Sequence, residues 1–216
     1  MKIISQALEE ISERSHKDFD ARTKSRDQAL AQARQLTRHS AHTIRAIHRG
    51  EEENALTELK QAGELVKLLK KSLIDFPDLF FAGYTQDAIK EFTEASITYA
   101  LIQGQDLPSP EDLAVATATY WNGLAEVVGE LRRRCLDILR QGYSHEAERL
   151  LTCMDDIYTQ LVTMDYPDAV TQGLRRQTDL VRNIVEKTRG DLTMSLQFQN
   201  MERSLDEYTR RINESE

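Results

Sequence analysis

Residues 120–134 read YWNGLAEVVGELRRR, and this stretch decides the class of fold. Its apolar side chains recur every three or four residues, which is the spacing of one face of an α-helix. The apolar face consists of Trp121, Leu124, Ala125, Val128 and Leu131. Glu126 and Glu130 lie one helical turn apart at the edge of this face. Like charges at this spacing repel each other, and partial burial raises the cost, so the pair requires an explanation.

The composition of the whole chain favours helices. The 216 residues include only 4 prolines and 9 glycines, and good helix formers dominate. We predict an all-α fold, a single-domain bundle of six to seven helices over residues 1–216. Because there is neither a long apolar run nor a secretion signal, we expect no membrane span and a cytoplasmic location. Cys135 and Cys153 fall within helical patterns, which predicts reduced, buried thiols.

A very long first helix is the most unusual predicted element. The segment 3–49 lacks proline and glycine, and Gly50 follows it as a candidate C-cap. A helix of this length would span about 70 Å at 1.5 Å per residue. That exceeds a small core, so we expect part of it to pack against another subunit. The other helices are predicted over residues 51–74, 85–103, 109–141, 144–164, 168–188 and 192–212.

A second pair of acids, Glu91 and Glu94, lies one turn apart in IKEFTEASITYAL. If the third and fourth helices pack antiparallel across the intervening loop, the two pairs can meet. Four carboxylates in a half-buried site cannot all ionise without a counter-charge, which divalent cations would supply. No HExxH or CxxC motif occurs, so the site offers only oxygen ligands, which suit Mg²⁺ or Mn²⁺. The net charge of −8 fits such a site and argues against a general polyanion binder.

The alternative for the acids is a solvated face. There Glu126 and Glu130 would pair with Arg132, Arg133 or Arg134. Gly129 bears on the choice, because glycine inside a helix costs roughly 1 kcal/mol relative to alanine. We expect it at a point where a neighbouring backbone or a phosphate approaches closely.

A basic face of the first helix is the candidate nucleic-acid contact. Its members are spaced by four, four, three and four residues: Arg34, Arg38, His42, Arg45 and Arg49. Arginines on one face can bind phosphates through paired hydrogen bonds. The alternative is a solvated face or a contact between subunits.

Two motifs resemble those of the translin/TRAX family, in which TRAX denotes translin-associated factor X. Residues 123–133 read GLAEVVGELRR, which is similar to the family pattern G-[LV]-A-[DE]-[LVT]-x-G-E-L-x-R. Residues 91–95 read EFTEA, which is similar to the E-[YF]-x-E-A motif of TRAX-type subunits. Residues 174–193 resemble the last long helix of the family. The chain looks like a compact archaeal or other prokaryotic member.

The resemblance implies a translin-like helical fold that assembles into a hollow homo-oligomer, expected to be an octamer. TRAX-type subunits are Mg²⁺-dependent endoribonucleases that cut single-stranded RNA inside the shell. The resemblance assigns both catalysis and metal binding, to Mg²⁺ or Mn²⁺, to one set of acids. This set is Glu91, Glu94, Glu126 and Glu130. The alternative is a non-catalytic translin-like protein that binds single-stranded RNA or DNA.

One segment departs from the family. The basic, histidine-rich patch of translin would fall at residues 80–86, which read FFAGYTQ here and carry no basic side chain. RNA would therefore be held elsewhere. We predict contacts from Arg38, Arg45 and Arg49, with Arg34 on the same helix face.

Overall fold

All elements that the computed structural model describes are helices. The description covers residues 2–214, with side chains from residue 4 onward. The all-α prediction and the very long first helix are confirmed. Six helices are long and three are single turns. In chain order they are α1 (Lys2–Arg49), α2 (Glu52–Ser72), α3 (Pro77–Phe80), α4 (Gly83–Ile102), α5 (Pro110–Leu113), α6 (Thr117–Leu139), α7 (His145–Thr163), α8 (Asp168–Thr171) and α9 (Leu174–Asn213).

Local capping explains several helix ends. Gly50 follows α1 with a φ of +72°, a left-handed conformation that glycine adopts without strain. Ser109 begins α5 with a reciprocal capping box, in which its hydroxyl accepts a hydrogen bond from the Asp112 N–H. Ser144 caps α7 by accepting a hydrogen bond from the Glu146 N–H. These ends agree with the sequence prediction.

The single helix predicted over residues 109–141 is wrong. Helix α5 stops after Leu113 because Ala114 is left-handed, with a φ of +56°, and the Val115 N–H bonds back to the Pro110 carbonyl. That hydrogen bond closes the helix end. The chain becomes helical again only at Thr117. Glycine usually occupies such a position, so an alanine there gave no warning.

The two helices predicted over residues 168–188 and 192–212 are also wrong in their boundaries. Helix α8 ends after one turn because Gln172 and Gly173 are both left-handed, with φ of +56° and +86°. Helix α9 then continues for 40 residues without a break. The helix continues through Gly190. One glycine costs about 1 kcal/mol, which is too small to end a helix that is buried at Thr188 and Leu192, on either side of the glycine.

Helix α4 is the central element of the fold. Its Ile89 and Phe92 pack with α1 and α2 in one core. Its Ile97 joins the main core, which is built from α6, α7 and α9. Tyr99 packs against Ile47 near the end of α1. Since α4 is held on several sides, its orientation relative to α6 is fixed.

Two helical arms extend beyond the cores. The α1 arm (residues 4–28) and the α9 arm (residues 193–214) are mostly exposed. Exposed apolar side chains on the α9 arm recur every three or four residues: Met194, Phe198, Met201, Leu205, Tyr208 and Ile212. Despite these side chains, none of the helices described over residues 2–214 combines the length and apolarity needed to cross a membrane.

Candidate metal centre

Helices α4 and α6 approach each other closely at Gly123. A Cβ atom built on Gly123 would lie 2.9 Å from the Cβ of Thr93 and 3.1 Å from the carbonyl oxygen of Lys90. These distances are too short for any other residue unless the helices move apart. The absence of a side chain at Gly123 therefore sets the separation of the two helices that carry the predicted acids.

Three of the four predicted acids meet across this contact. Glu91 and Glu94 lie one turn apart on α4, and Glu126 faces them from α6. One carboxylate oxygen from each residue lies within 4.8 Å of the others. We refer to Glu91, Glu94 and Glu126 as the acid triad. The predicted meeting of the two acidic helix faces is thus observed for these three residues.

Crowding of carboxylates changes their proton affinity. Burial, followed by the charges of Glu126 and Glu91, raises the pKa of Glu94 from the ordinary 4.5 to about 8. Burial and the charge of Glu126 also raise the pKa of Glu91. The triad therefore lacks enough positive charge to keep all three carboxylates ionised at neutral pH.

Glu126 has two hydrogen-bond donors that the sequence did not suggest. The ammonium of Lys90 donates to Glu126 Oε1 at 2.7 Å, and the amide of Gln177 donates to the same oxygen at 3.3 Å. Burial opposes the charge on Lys90, but the contact with Glu126 outweighs it and raises the pKa of Lys90. Lys90 supplies one positive charge to a site with three carboxylates. The sequence signal for this contact was the position of Lys90 directly before Glu91.

The fourth acid, Glu130, lies outside the triad. Its Oε2 is 2.5 Å from Nε2 of His48, at the end of α1, and 3.7 Å from Arg133. Its charge still contributes to the raised pKa of Glu94. Helical spacing could not indicate the His48 contact, because 82 residues separate the partners. Three arginines were predicted as partners of Glu126 or Glu130 on a solvated face. In the described part of the chain Arg133 alone of these pairs with one of the two acids, and Arg132 pairs instead with Asp191 at 2.8 Å.

The prediction for Gly129 is wrong in one respect. No neighbouring atom lies within 4 Å of a Cβ built there, so no backbone approaches it. The close approach that we expected at Gly129 occurs at Gly123, two turns earlier on α6.

The donor set fits a hard divalent cation. Carboxylate oxygens are the ligands that Mg²⁺ and Mn²⁺ prefer. The raised pKa of Glu94 records a shortage of positive charge, which such an ion would correct. The triad could hold the ion directly. Glu130 lies outside the triad, one helical turn after Glu126 on α6.

A polar cavity of about 400 Å³ opens beside the triad. Lys90 and Gln177, the two donors to Glu126, both line it. Asn122 and Arg176 supply further hydrogen-bonding groups to its walls. The cavity gives a polar substrate room next to the acids.

The predicted basic face of α1 lies on the surface. The side chains of Arg34, Arg38 and Arg45 are exposed, and Arg49 lies 3.8 Å from Glu51. His42 turns toward Glu58, with a separation of 3.7 Å. The guanidinium groups are therefore available to a ligand in solution.

Comparisons with known proteins identify relatives in sequence and in fold. No family model matches the chain. Over 174 residues it is 36% identical to the uncharacterised protein MJ0175 of Methanocaldococcus jannaschii, covering 80% of this chain and 77% of that protein. The structure of AfC3PO in complex with duplex RNA is 34% identical, with a TM-score of 0.80, over 85% of this chain and 95% of AfC3PO.

Two further solved structures share the fold. A second crystal structure of AfC3PO gives a TM-score of 0.79 at 34% identity, again over 85% of this chain and 95% of the other. The apo form of NeC3PO gives a TM-score of 0.78 over 85% of this chain and 96% of the other. At 20% identity, NeC3PO shows a likeness in fold alone.

Proposed function

The chain belongs to the translin/TRAX family, whose assemblies are the C3PO complexes, and from this membership we propose that it is a metal-dependent endoribonuclease that cuts single-stranded RNA. The acid triad is the observation that carries the proposal. Three carboxylates converge across α4 and α6, and one of them has a pKa of about 8. As a purely structural feature such a cluster is costly, whereas bound Mg²⁺ or Mn²⁺ would offset the cost of burying and crowding its carboxylates.

Each residue of the centre has its own role. Glu91, Glu94 and Glu126 hold the cation, and Glu130 completes the catalytic set. When bound, such a cation polarises a phosphoryl oxygen and stabilises the negative charge of the transition state. Glu130, oriented by His48, accepts a proton from the attacking water. Lys90 transfers its hydrogen bond from Glu126 to a phosphate oxygen of the RNA. Its ammonium then neutralises part of the negative charge of that phosphate.

The alternative function is RNA or DNA binding without cleavage. The exposed arginines of the basic face favour it, as does the complex of the relative AfC3PO with duplex RNA. In that case the acids would be a structural feature, and binding would weaken with salt but persist without metal.

The deciding experiment is cleavage of an end-labelled RNA by the purified protein. Single-stranded and duplex forms of one sequence would be incubated with Mg²⁺, with Mn²⁺ and with EDTA. We expect the single strand to be cut with either metal and left intact in EDTA. Retention of RNA in a gel shift without cleavage under any condition would favour the binding-only alternative.

The basic face provides a separate prediction for RNA binding. We expect Arg38→Gln combined with Arg45→Gln to weaken binding of single-stranded RNA, because each exposed guanidinium that binds a phosphate releases counterions. The magnitude of the slope of log K against log salt should fall by about 0.7 for each arginine–phosphate pair that the substitutions remove. Binding would be followed by fluorescence anisotropy at several salt concentrations. An unchanged slope would assign RNA binding to another surface.

We also propose that the chain acts as a hollow homo-oligomer, an octamer, in the cytoplasm. The exposed apolar residues of the α1 and α9 arms support assembly, since such rows usually contact a partner. Both cysteines are free, which suits a reducing compartment. Burial raises the pKa of the Cys135 thiol to about 11, so this thiol is unreactive.

A further inference from the structure

A second polar cavity lies where the end of α1 meets the C-terminal part of α6. Its volume is about 600 Å³. Six residues line it: His48, Arg134, Asp137, Ile138, Arg140 and Gln141. Two arginines and one acid give the lining a positive balance. None of these residues was singled out by the sequence motifs as a ligand.

Two nitrogen atoms in this cavity lack hydrogen-bond partners. The side chain of His48 is 3% exposed, and its Nε2 is held by Glu130. Its Nδ1 is buried and has no hydrogen-bond partner among the described residues, and the same is true of Arg134 Nε. A buried polar group without a partner destabilises the fold. Two such groups on one cavity indicate that a polar ligand completes it.

The neighbouring acids do not satisfy these nitrogen atoms. Glu146, which the charge of Arg134 influences, is already bound by Arg149 at 2.7 and 2.8 Å. Glu130 is bound by His48 on its other side. The Arg140 side chain is exposed at the rim of the cavity. Arg134 and Arg140 outnumber Asp137, the acid of the lining, and the unpartnered Arg134 Nε–H requires an acceptor, which the oxygens of an anion provide.

We propose that this cavity, which we call the anion subsite, binds a phosphate group of the RNA. The inference rests on the proposed function. Arg134 and Arg140 contact the phosphate oxygens, and His48 links the subsite to Glu130. Arg134 follows Glu126 by eight residues on α6, about 12 Å at 1.5 Å per residue, so an RNA strand held there could extend along α6 to the acid triad. The subsite would thus set which phosphodiester bond is presented for cleavage.

Two sources can supply the same phosphate chemistry, an internal phosphodiester or a terminal 5′-phosphate. The test therefore uses two single-stranded oligonucleotides of one sequence, labelled at the 3′ end, with either a 5′-phosphate or a 5′-hydroxyl. Binding is measured by anisotropy in EDTA and in Mg²⁺. The variants are Arg134→Gln with Arg140→Gln, and Arg140→Gln alone in case the double variant fails to fold. Arg182→Gln, an exposed arginine on α9, is the matched control for the single variant, and Arg175→Gln with Arg182→Gln removes the same two charges as the double variant.

We expect the double variant to bind both oligonucleotides at least tenfold more weakly than its control if the phosphate is internal. A loss confined to the 5′-phosphorylated strand would identify the terminal phosphate as the ligand. Arg140→Gln alone should show a smaller loss of the same pattern. If the wild-type protein binds and cuts RNA and the variants bind as their controls do, the anion subsite is wrong and the proposed function stands. If the wild-type protein binds no RNA in either buffer, both fail.

Discussion

Glu94→Gln is expected to reduce RNA cleavage by about 10³-fold while stabilising the metal-free protein. Losing one carboxylate from the centre removes several kcal/mol of transition-state stabilisation. Each loss of about 1.4 kcal/mol lowers the rate tenfold. The same change relieves repulsion, because a neutral amide replaces the most strongly perturbed acid of the triad. Cleavage rates and thermal unfolding in EDTA would be measured on the same preparation.

The stability gain follows from the pKa of Glu94. The shift from 4.5 to about 8 corresponds to about 5 kcal/mol at 1.36 kcal/mol for each pKa unit. We expect less than half of it, about 2 kcal/mol, because glutamine must still bury a polar amide. For a chain of this size the melting temperature should rise by about 5 °C. A destabilised variant would contradict the view that the triad is strained.

The pH dependence has a definite sign. Between pH 4.5 and about 8, the folded protein retains a proton on Glu94 that the unfolded chain has released. Rising pH therefore favours unfolding over this range, and the loss is complete above pH 8. In EDTA, the wild-type protein should lose stability from pH 5 to pH 8, and Glu94→Gln should flatten that slope. Added Mg²⁺ should protect the wild-type protein most at the upper end.

Glu126→Ala supplies the contrast. It should reduce cleavage at least as strongly as Glu94→Gln does, because it removes another triad carboxylate. Its effect on stability should be opposite, since Lys90 would lose its partner at 2.7 Å in a half-buried position. Opposite changes in melting temperature with the same loss of activity would separate catalytic from structural effects. Normal cleavage by either variant would contradict the proposed function.

Gly123→Ala is expected to impair both folding and catalysis. The added methyl group would lie 2.9 Å from Thr93, so α4 and α6 must move apart. Overpacking of this kind costs about 2 kcal/mol. A displacement of the order of 1 Å between reacting groups lowers activity by about 10²-fold. Denaturant unfolding and cleavage assays would measure the two effects.

Gly129→Ala is the matched control on the same helix. Nothing lies within 4 Å of its Cβ position, and alanine is the better helix former. We expect the variant to gain about 1 kcal/mol of stability. It should also assemble normally. If Gly123→Ala were as stable and active as this control, close helix approach would not be what positions the acids.

The helical fold was largely accessible from the sequence, because amphipathic spacing and strong capping signals both act locally. The errors fall where a residue other than glycine adopts a left-handed conformation, as Ala114 and Gln172 do. Their backbone angles are imposed by packing across the chain. Local preference gives no sign of them.

The candidate site was predictable in composition but not in geometry. Motif resemblance identified the acids, and helical spacing placed Glu91 beside Glu94. Spacing alone did not show which glycine of α6 faces α4. A signal was present, because Gly123 precedes Glu130 by seven residues, nearly two full turns, and so lies on the same side of α6 as that acid. The contact of His48 with Glu130 joins distant parts of the chain, which periodicity cannot predict.

The two helical arms divide the molecule into parts with different dynamics. Helix α1 is one continuous element, yet its residues before Ala29 have few buried contacts. Backbone hydrogen bonds there can break and re-form without disturbing the cores, because local opening costs little where few side chains are buried. The same holds for α9 beyond Leu192. In the unassembled chain, a single unbroken helix can thus open locally at one end while its other end opens only when the whole domain unfolds.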